Sequence, residues 1–378
     1  MSPPRFFFWV QHLLGTGHLR RALLLAEALA ARGGRVLLAS GGPPAGFPPP
    51  KGTEFLQLPP IGSDGADLGR LVGSRGEPLG GDIWARRRRL LLDALARHEP
   101  QVVIVEHWPF GRRAFDAEVR ALLARARAIG ARLVCSVRDV LVSKDDPAKY
   151  ARMAEHARGL DLVLVHGDPS LLPFEARFPL ARALEPELRY TGYVAPPERP
   201  APAQTRREIL VSAGGGAVGA RLCATALEAA RLLPEPPWRI VTGGGLSGSV
   251  FAALARAAPP RVRIERMRAD LPALLARAAV SVSQAGYNTV AEALAGGTPM
   301  VLVPFETARE DEQIVRARAL AACGRAALVR EAELGPERLV RAVRSALATP
   351  GPLPSPVRLD GAARTAEWLL ELARARAA

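Results

Sequence analysis

Short buried-looking runs of β-branched and aromatic residues alternate with longer stretches of helical period along most of the chain. Arg5 to Val10 reads as a buried first strand, and GTGHLRRALLLAEALAARGG as a glycine turn and a helix that stops at Gly33 and Gly34. Strands VLLAS and TEFLQLP follow. The segment from Ile61 to Gly81 is polar and rich in Gly and Asp, with no periodicity, and its length argues for a function or mobility. Beyond it the alternation is plain: helix 83–98, strand QVVIVE, helix 114–129, strand RLVCSV, helix 147–158, strand DLVLVH. After Tyr193 the chain runs VAPPERPAPAQTRR, a proline-rich polar linker over 194–207. A second series then starts with strand EILVSA, helix 217–233, strand WRIVTG, helix 247–257, strand RVRIE and helix 270–278, and ends with helix 309–322 and strand AALV. Strands that alternate with helices predict the α/β class, with two doubly wound parallel sheets in domains 1–193 and 208–360 and an amphipathic stretch over 361–378.

The most informative stretch is 279–305, AVSVSQAGYNTVAEALAGGTPMVLVPF. Ala279 to Ser283 predicts a short strand, and Gly286 a sharp turn into a helix. Thr289 with Glu292 three places on fits a capping box, Gly296 and Gly297 supply the stop, and Pro299 opens the strand MVLVP. The amino end of such a helix leaves the carboxyl edge of a parallel sheet, where α/β proteins bind ligands and where free N–H groups suit a phosphate. Ser283, Gln284, Asn288 and Thr289 crowd the same rim with hydroxyl and amide groups. Glu292 could accept two hydrogen bonds from a vicinal diol such as ribose, each about 1.5–3 kcal/mol. The alternative is that it only closes its own capping box.

These residues carry a resemblance. The string S-x-A-G-x-N-T-x-x-E-x-L-x-x-G-x-P-x-V-x-V-P-F resembles the nucleotide-sugar motif of GT-B glycosyltransferases of the kind that makes lipid II from lipid I. The resemblance implies two Rossmann-like domains facing a cleft, with the nucleotide diphosphate held by the loop and helix start (Gly286, Asn288, Thr289) and the ribose hydroxyls by Glu292. It also implies that the stretch 361–378 crosses back onto the first domain. Met267, after strand RVRIE, lies where the family reads the base edge through main-chain groups. Glu312 and Gln313, in FETAREDEQ, match residues that hold the sugar hydroxyls; a solvated acidic helix start is the alternative.

In the first domain, Gly15, Gly17, His18 and Arg21 belong to the turn that follows strand one. His18 has the side chain suited to take a proton from an attacking hydroxyl near neutral pH, unless it merely caps the helix. The G-x-G-H turn with Arg three residues later resembles both the GT-B transferases and the nucleotide-sugar hydrolase of pseudaminic acid synthesis. Glu106 and Asp139 end two further strands at the same edge, as candidates to support His18 or bind the acceptor. In AGGGAVG, Gly214, Gly215 and Gly216 formally match a dinucleotide fingerprint. The next strand, however, ends without the acidic residue that would hold an NAD ribose, which argues against a dehydrogenase. In GT-B relatives such a turn approaches the donor phosphates.

Composition narrows the field. At 378 residues the chain exceeds one ordinary domain. The formal charge of +14 comes from 51 basic residues of which only Lys51, Lys144 and Lys149 are lysines. With aromatics at 5% and no nucleic-acid module, a nucleic-acid partner is not expected. Arg86 to Arg89 read as a solvated helix face, with weak peripheral contact to an anionic membrane as the alternative. Cys135, Cys223 and Cys323 have no metal or redox spacing and read as buried thiols in a reducing cytoplasm. No run reaches the length of a membrane span. No D-x-D occurs, so a metal-free site is expected, with no cofactor beyond the substrate nucleotide, which the resemblance implies is UDP-linked. The expected activity is inverting, metal-independent glycosyl transfer from that donor to an acceptor the sequence does not identify. A nucleotide-sugar hydrolase or epimerase, or a catalytically silent binding protein of the same fold, are the alternatives.

Overall fold

A computed structural model describes residues 2–64, 70–142, 146–197, 200–214, 219–307 and 310–375. The chain forms two compact units, one of residues 1–169, 173–194 and 360–378, the other of 170–172 and 195–359.

In the first unit, β1 (Arg5–Val10), α1 (Gly17–Ala30), β2 (Arg35–Ser40) and β3 (Thr53–Gln57) are followed by the two-residue strands β4 (Gly62–Ser63) and β5 (Leu71–Val72). Then come α2 (Ile83–His98), β6 (Val102–Glu106), α3 (Asp116–Ala128), β7 (Arg132–Arg138), α4 (Pro147–Ala157), β8 (Leu162–His166) and β9 (Glu187–Tyr190). The main sheet runs β3-β2-β1-β6-β7-β8-β9, every pair parallel. Phe6 to Val10 are buried on both faces of the sheet, as expected where helices cover both sides. Alternate residues divide cleanly. Phe6, Phe8, Val102, Ile104, Val134, Leu162 and Leu164 share one core with α1, while Phe7, Trp9, Val103, Val105, Leu133 and Cys135 share another with α2 and α3.

The second unit holds β10 (Glu208–Ser212), α5 (Ala220–Leu232), β11 (Trp238–Thr242), α6 (Gly248–Ala257), β12 (Val262–Arg266) and α7 (Leu271–Arg277). It continues with β13 (Ala278–Ser283), α8 (Tyr287–Ala295), β14 (Met300–Leu302), α9 (Glu312–Ala322), β15 (Ala326–Leu328) and α10 (Pro336–Leu347). Its sheet, β12-β11-β10-β13-β14-β15, is also wholly parallel. The last helix, α11 (Gly361–Arg374), belongs to the first unit and packs on α1. Ala366, Leu369, Leu370 and Ala373 form its apolar stripe in the core shared with Leu19, Ala22, Ala26 and Leu29. Each fully buried leucine contributes about 1.5–3 kcal/mol.

Several expectations need correcting. Part of the 61–81 loop pairs as an antiparallel ribbon, Gly62 opposite Val72. Strand β9 and helix α10 were not foreseen. Of the four arginines on α2, Arg86, Arg88 and Arg89 are exposed, but Arg87 is fully buried. Its guanidinium binds Glu118 through Nε at 2.7 Å and Nη2 at 2.8 Å, and reaches the Gly41 and Pro59 carbonyls and Gln11. Four consecutive helical positions sweep about 300°, so one of them must face the sheet. Cys135 and Cys223 are buried, whereas Cys323, at the end of α9, is exposed. Arg206, read as linker, is buried, and its guanidinium donates to the Ala278 and Gly296 carbonyls, closing the carboxyl end of α8. Among the described residues no helix is long and apolar enough to cross a membrane.

Candidate active site

Both units place polar side chains where their strand order reverses, between β1 and β6 in the first and between β10 and β13 in the second. Crevices outside the carboxyl ends of strands at such switch points are the usual ligand sites of open α/β sheets.

In the first unit, strand order brings together residues 88 positions apart: His18 Nδ1 lies 2.9 Å from Glu106 Oε1. Arg21, one helical turn after His18, donates to the same oxygen and has its Nη2 3.2 Å from His18 Nδ1. Ser136 Oγ donates to Glu106 Oε2 at 2.5 Å. Glu106 and Arg21 are buried, while the His18 side chain keeps 13% of its surface exposed. A carboxylate can only accept, so the Nδ1 facing it carries the ring proton and Nε2 is left with a lone pair. Burial first, then the cations of Arg112, Arg21 and Arg138, hold the His18 pKa well below the usual imidazole value, so the ring is neutral at pH 7. A neutral imidazole with Nδ1 anchored on a carboxylate and Nε2 unprotonated is equipped to take a proton.

Asp139 has polar partners on other segments as well. Tyr193 donates to its Oδ2 at 2.7 Å, the Val140 N–H donates to its Oδ1 at 2.8 Å, and the backbone of Gly167 packs against its Cβ. His107, the residue after Glu106, has its ring centroid 5.0 Å from that of His18 and a φ of 69°, a conformation that costs a non-glycine residue about 1–3 kcal/mol. Gly15 faces open space, and Gly17 is the first residue of α1.

In the second unit the loop between β13 and α8 carries the predicted cluster. The helix begins at Tyr287 with Gly286 as its cap, three residues before the expected cap at Thr289. Thr289 is therefore in the first turn rather than at the cap, and no side chain caps this end. The capping box is not formed, because the backbone turns at Gly286 and not at Thr289. Nor does Gly286 need a glycine's freedom: its φ is −64° and a Cβ there would enter open space. Asn288 and Thr289 are half-buried, with Glu292 one turn further along the same face at 4% exposure. The Ser283 hydroxyl, at the end of β13, is buried without a hydrogen-bond partner. Gly214 has a φ of 70°, the conformation for which this turn needs glycine, and a Cβ there would also push aside the Gln284 amide, whose Oε1 would lie 2.8 Å away. Gly215 and Gly216 lie outside the described residues. Met267 is 45% exposed beside Gly244. Glu312 opens α9, and Gln313 Oε1 accepts from the Phe305 N–H at 3.0 Å. A buried arginine not singled out by sequence, Arg316, donates to the Ala285 carbonyl at 2.6 Å and backs this loop from α9.

Residues 210–353 match the family model of the glycosyltransferase family 28 C-terminal domain. The match lies within the second unit. A UDP-N-acetylglucosamine–N-acetylmuramyl-(pentapeptide) pyrophosphoryl-undecaprenol N-acetylglucosamine transferase of Brucella anthropi is 34% identical over 188 residues, covering 48% of this chain and 50% of the relative. The enzyme of the same name from Brucella canis is 35% identical over 161 residues, 41% of this chain and 42% of its own. The chain thus spans about half the length of these relatives or less. Among solved structures, Acinetobacter baumannii MurG aligns over 99% of this chain and 100% of its own at 16% identity and a TM-score of 0.57. TcCGT1 in complex with UDP aligns over 99% and 94% at 15% identity and a TM-score of 0.65. With the two parallel-sheet units, these likenesses establish the GT-B fold.

Glycines 286 and 297 flank α8 and give a paired test. Gly297 has a φ of 61° and its Cβ would lie 2.8 Å from Pro352 Cβ. Gly297→Ala is expected to cost about 1–3 kcal/mol in urea unfolding, whereas Gly286→Ala should leave the unfolding midpoint unchanged. Equal midpoints for the two variants would contradict this account of the loop.

Proposed function

We propose that this chain is an inverting glycosyltransferase that moves a sugar from a UDP-linked donor to an acceptor hydroxyl without a metal ion. The His18–Glu106 pair carries the reading: it offers an unprotonated Nε2 on a ring whose tautomer is fixed by a buried carboxylate. The acceptor oxygen attacks the anomeric carbon, the bond from that carbon to the diphosphate oxygen breaks, and the hydroxyl proton passes to His18 Nε2. The departing diphosphate is stabilised at the amino end of α8 by Gly286, Asn288 and Thr289, an electrostatic role suited to a helix start. Glu292 holds the ribose hydroxyls. Gly214 and Ser283 line the donor side, Met267 lies at the base edge, and Glu312 and Gln313 reach the sugar.

The names of the Brucella relatives make UDP-N-acetylglucosamine the first donor to test and a pyrophosphoryl lipid the first acceptor class, with the reaction in the cytoplasm. Incubation with that donor and an acceptor panel should release UDP and give a product whose anomeric configuration, read by NMR, is opposite to the donor's. Rapid UDP and free-sugar release without acceptor would replace transfer by hydrolysis. Glu292→Ala should raise the Kd for UDP about tenfold to a hundredfold in calorimetry, the loss of roughly one charge-assisted hydrogen bond. Unchanged affinity would remove Glu292 from the donor site.

A further inference from the structure

The apolar rows on the α1 face of the first sheet each end in a polar residue at the carboxyl edge. Val102 and Ile104 lead to Glu106, Val134 to Ser136, and Leu162 and Leu164 to His166. Register aligns them, with Glu106 opposite Ser136 and His166 opposite Arg138, two residues on, so all three side chains share one face. His166 Nε2 lies 2.8 Å from Ser136 Oγ, and its Nδ1 lies 2.9 Å from Thr191 Oγ1. Ser136, His166 and Thr191 are buried. The proposed base stands at one end of this file, and none of these three side chains reaches it directly by a hydrogen bond.

We propose that Ser136 and His166 are positioning residues for His18, holding the Glu106 carboxylate in place through a file of hydrogens that all point toward it. The directions follow from counting protons. Ser136 has one, and the carboxylate 2.5 Å away claims it. Ser136 Oγ must then accept from His166 Nε2–H, since a lone pair there would face the Ser136 oxygen. His166 is neutral, its pKa pushed down to about 3 mainly by burial and also by Arg21, so with Nε2 protonated its Nδ1 carries a lone pair toward the Thr191 hydroxyl, whose one proton is shared with the Gly192 carbonyl 2.7 Å away. Glu106 thus receives Ser136 on one oxygen and Arg21 and His18 on the other. The proposal rests on the reading of His18 as the base.

If Ser136 stops donating, the carboxylate is less satisfied and pulls harder on His18 Nδ1–H, which favours the imidazolium. The other groups acting on His18, namely Arg21 on α1, Arg112 in the loop after β6, Arg138 at the end of β7, and His12 and His107, are the same in the variants. The change therefore isolates Glu106.

The test uses full-length protein with ¹⁵N-labelled histidine, in Ser136→Ala, His166→Leu and His166→Gln forms. In the parent, NMR should find His166 protonated on Nε2, and a low-field proton on His18 Nδ1. Ser136→Ala and His166→Leu should shift or broaden that proton and raise the acid limb of the kcat profile. They should lower kcat by about tenfold or more, within the 10² to 10⁴ that acid–base catalysis supplies, with the donor KM unchanged. His166→Gln keeps an N–H toward Ser136 and should restore both signals. An unmoved His18 proton and acid limb in Ser136→Ala, the smaller change and the one less disruptive to packing, would overturn the proposal, as would His166 protonated on Nδ1. Absence of UDP binding or turnover in the parent would instead defeat the transferase reading, while the NMR comparison would still decide whether the file exists.

Discussion

His18→Ala is expected to lower kcat by about 10² to 10⁴-fold with the Kd for UDP unchanged. The size follows from the role: the ring is the group beside Glu106 able to accept a proton at neutral pH, while UDP is assigned to residues of the second unit. Glu106→Gln should fall in the same range, because an amide can present its N–H to Nδ1 and turn the ring to the tautomer with Nε2 protonated. The pH profile gives an independent check. A general base must be unprotonated, and the His18 pKa is held well below 6.5 by burial and by Arg112, Arg21 and Arg138. The rate governed by this group should therefore be flat across the neutral range and fall only below the usual imidazole region. An acid limb centred near 6.5, or turnover of His18→Ala close to the parent's, would assign the proton transfer to another group.

A second large effect concerns stability in mild acid. His18, His107 and His166 are all buried with lowered pKa values, the last to about 3. In the unfolded chain each imidazole takes up a proton near pH 6.5, and in the native state only at lower pH. Between those values the unfolded form binds more protons, so stability present above pH 6.5 is lost as the pH falls. One unit below 6.5, at pH 5.5, His166 alone costs about 1.4 kcal/mol, and His18 and His107 act in the same direction. These losses are drawn from the 5–15 kcal/mol typical of a folded protein. His12 and His98, also shifted down by burial, add to them. Urea unfolding at pH 7.5 and 5.5 avoids most carboxylate titration and should give a much lower midpoint in acid. Equal midpoints would mean that these imidazoles protonate in the native state as readily as in the unfolded one.

The strands were legible because parallel strands covered on both faces need unbroken apolar runs, and RFFFWV, QVVIVE and DLVLVH have them. Strand β9, ELRY, is only partly buried and has no such signature. Helix α10 carries one in Leu339, Val340 and Val343, which share one buried face. At the site, the glycines and His18 announced themselves by their place after a strand. The pairing of His18 with Glu106 did not, because it depends on β1 and β6 being neighbours, a property of sheet order rather than of either segment. Ser136 and His166 could have been found by parity, since each continues an apolar row at alternate positions. Arg87 was hidden among its neighbours; composition sees four like charges where geometry turns one of them inward. Arg316 had no sequence signal beyond its place on a helix.

The docking of α11 on α1 makes the first unit a two-part assembly whose parts are separated in sequence by the whole second unit. During synthesis the sheet of that unit emerges first, yet the face carrying Leu19, Ala22, Ala26 and Leu29 waits uncovered until the closing helix leaves the ribosome. The intervening unit has by then been fully translated and is free to fold ahead of the unit that precedes it. Nascent chains stalled before residue 361 would thus display a sticky apolar strip to chaperones, and the histidine-bearing unit cannot complete its packing until the unit that follows it has been translated.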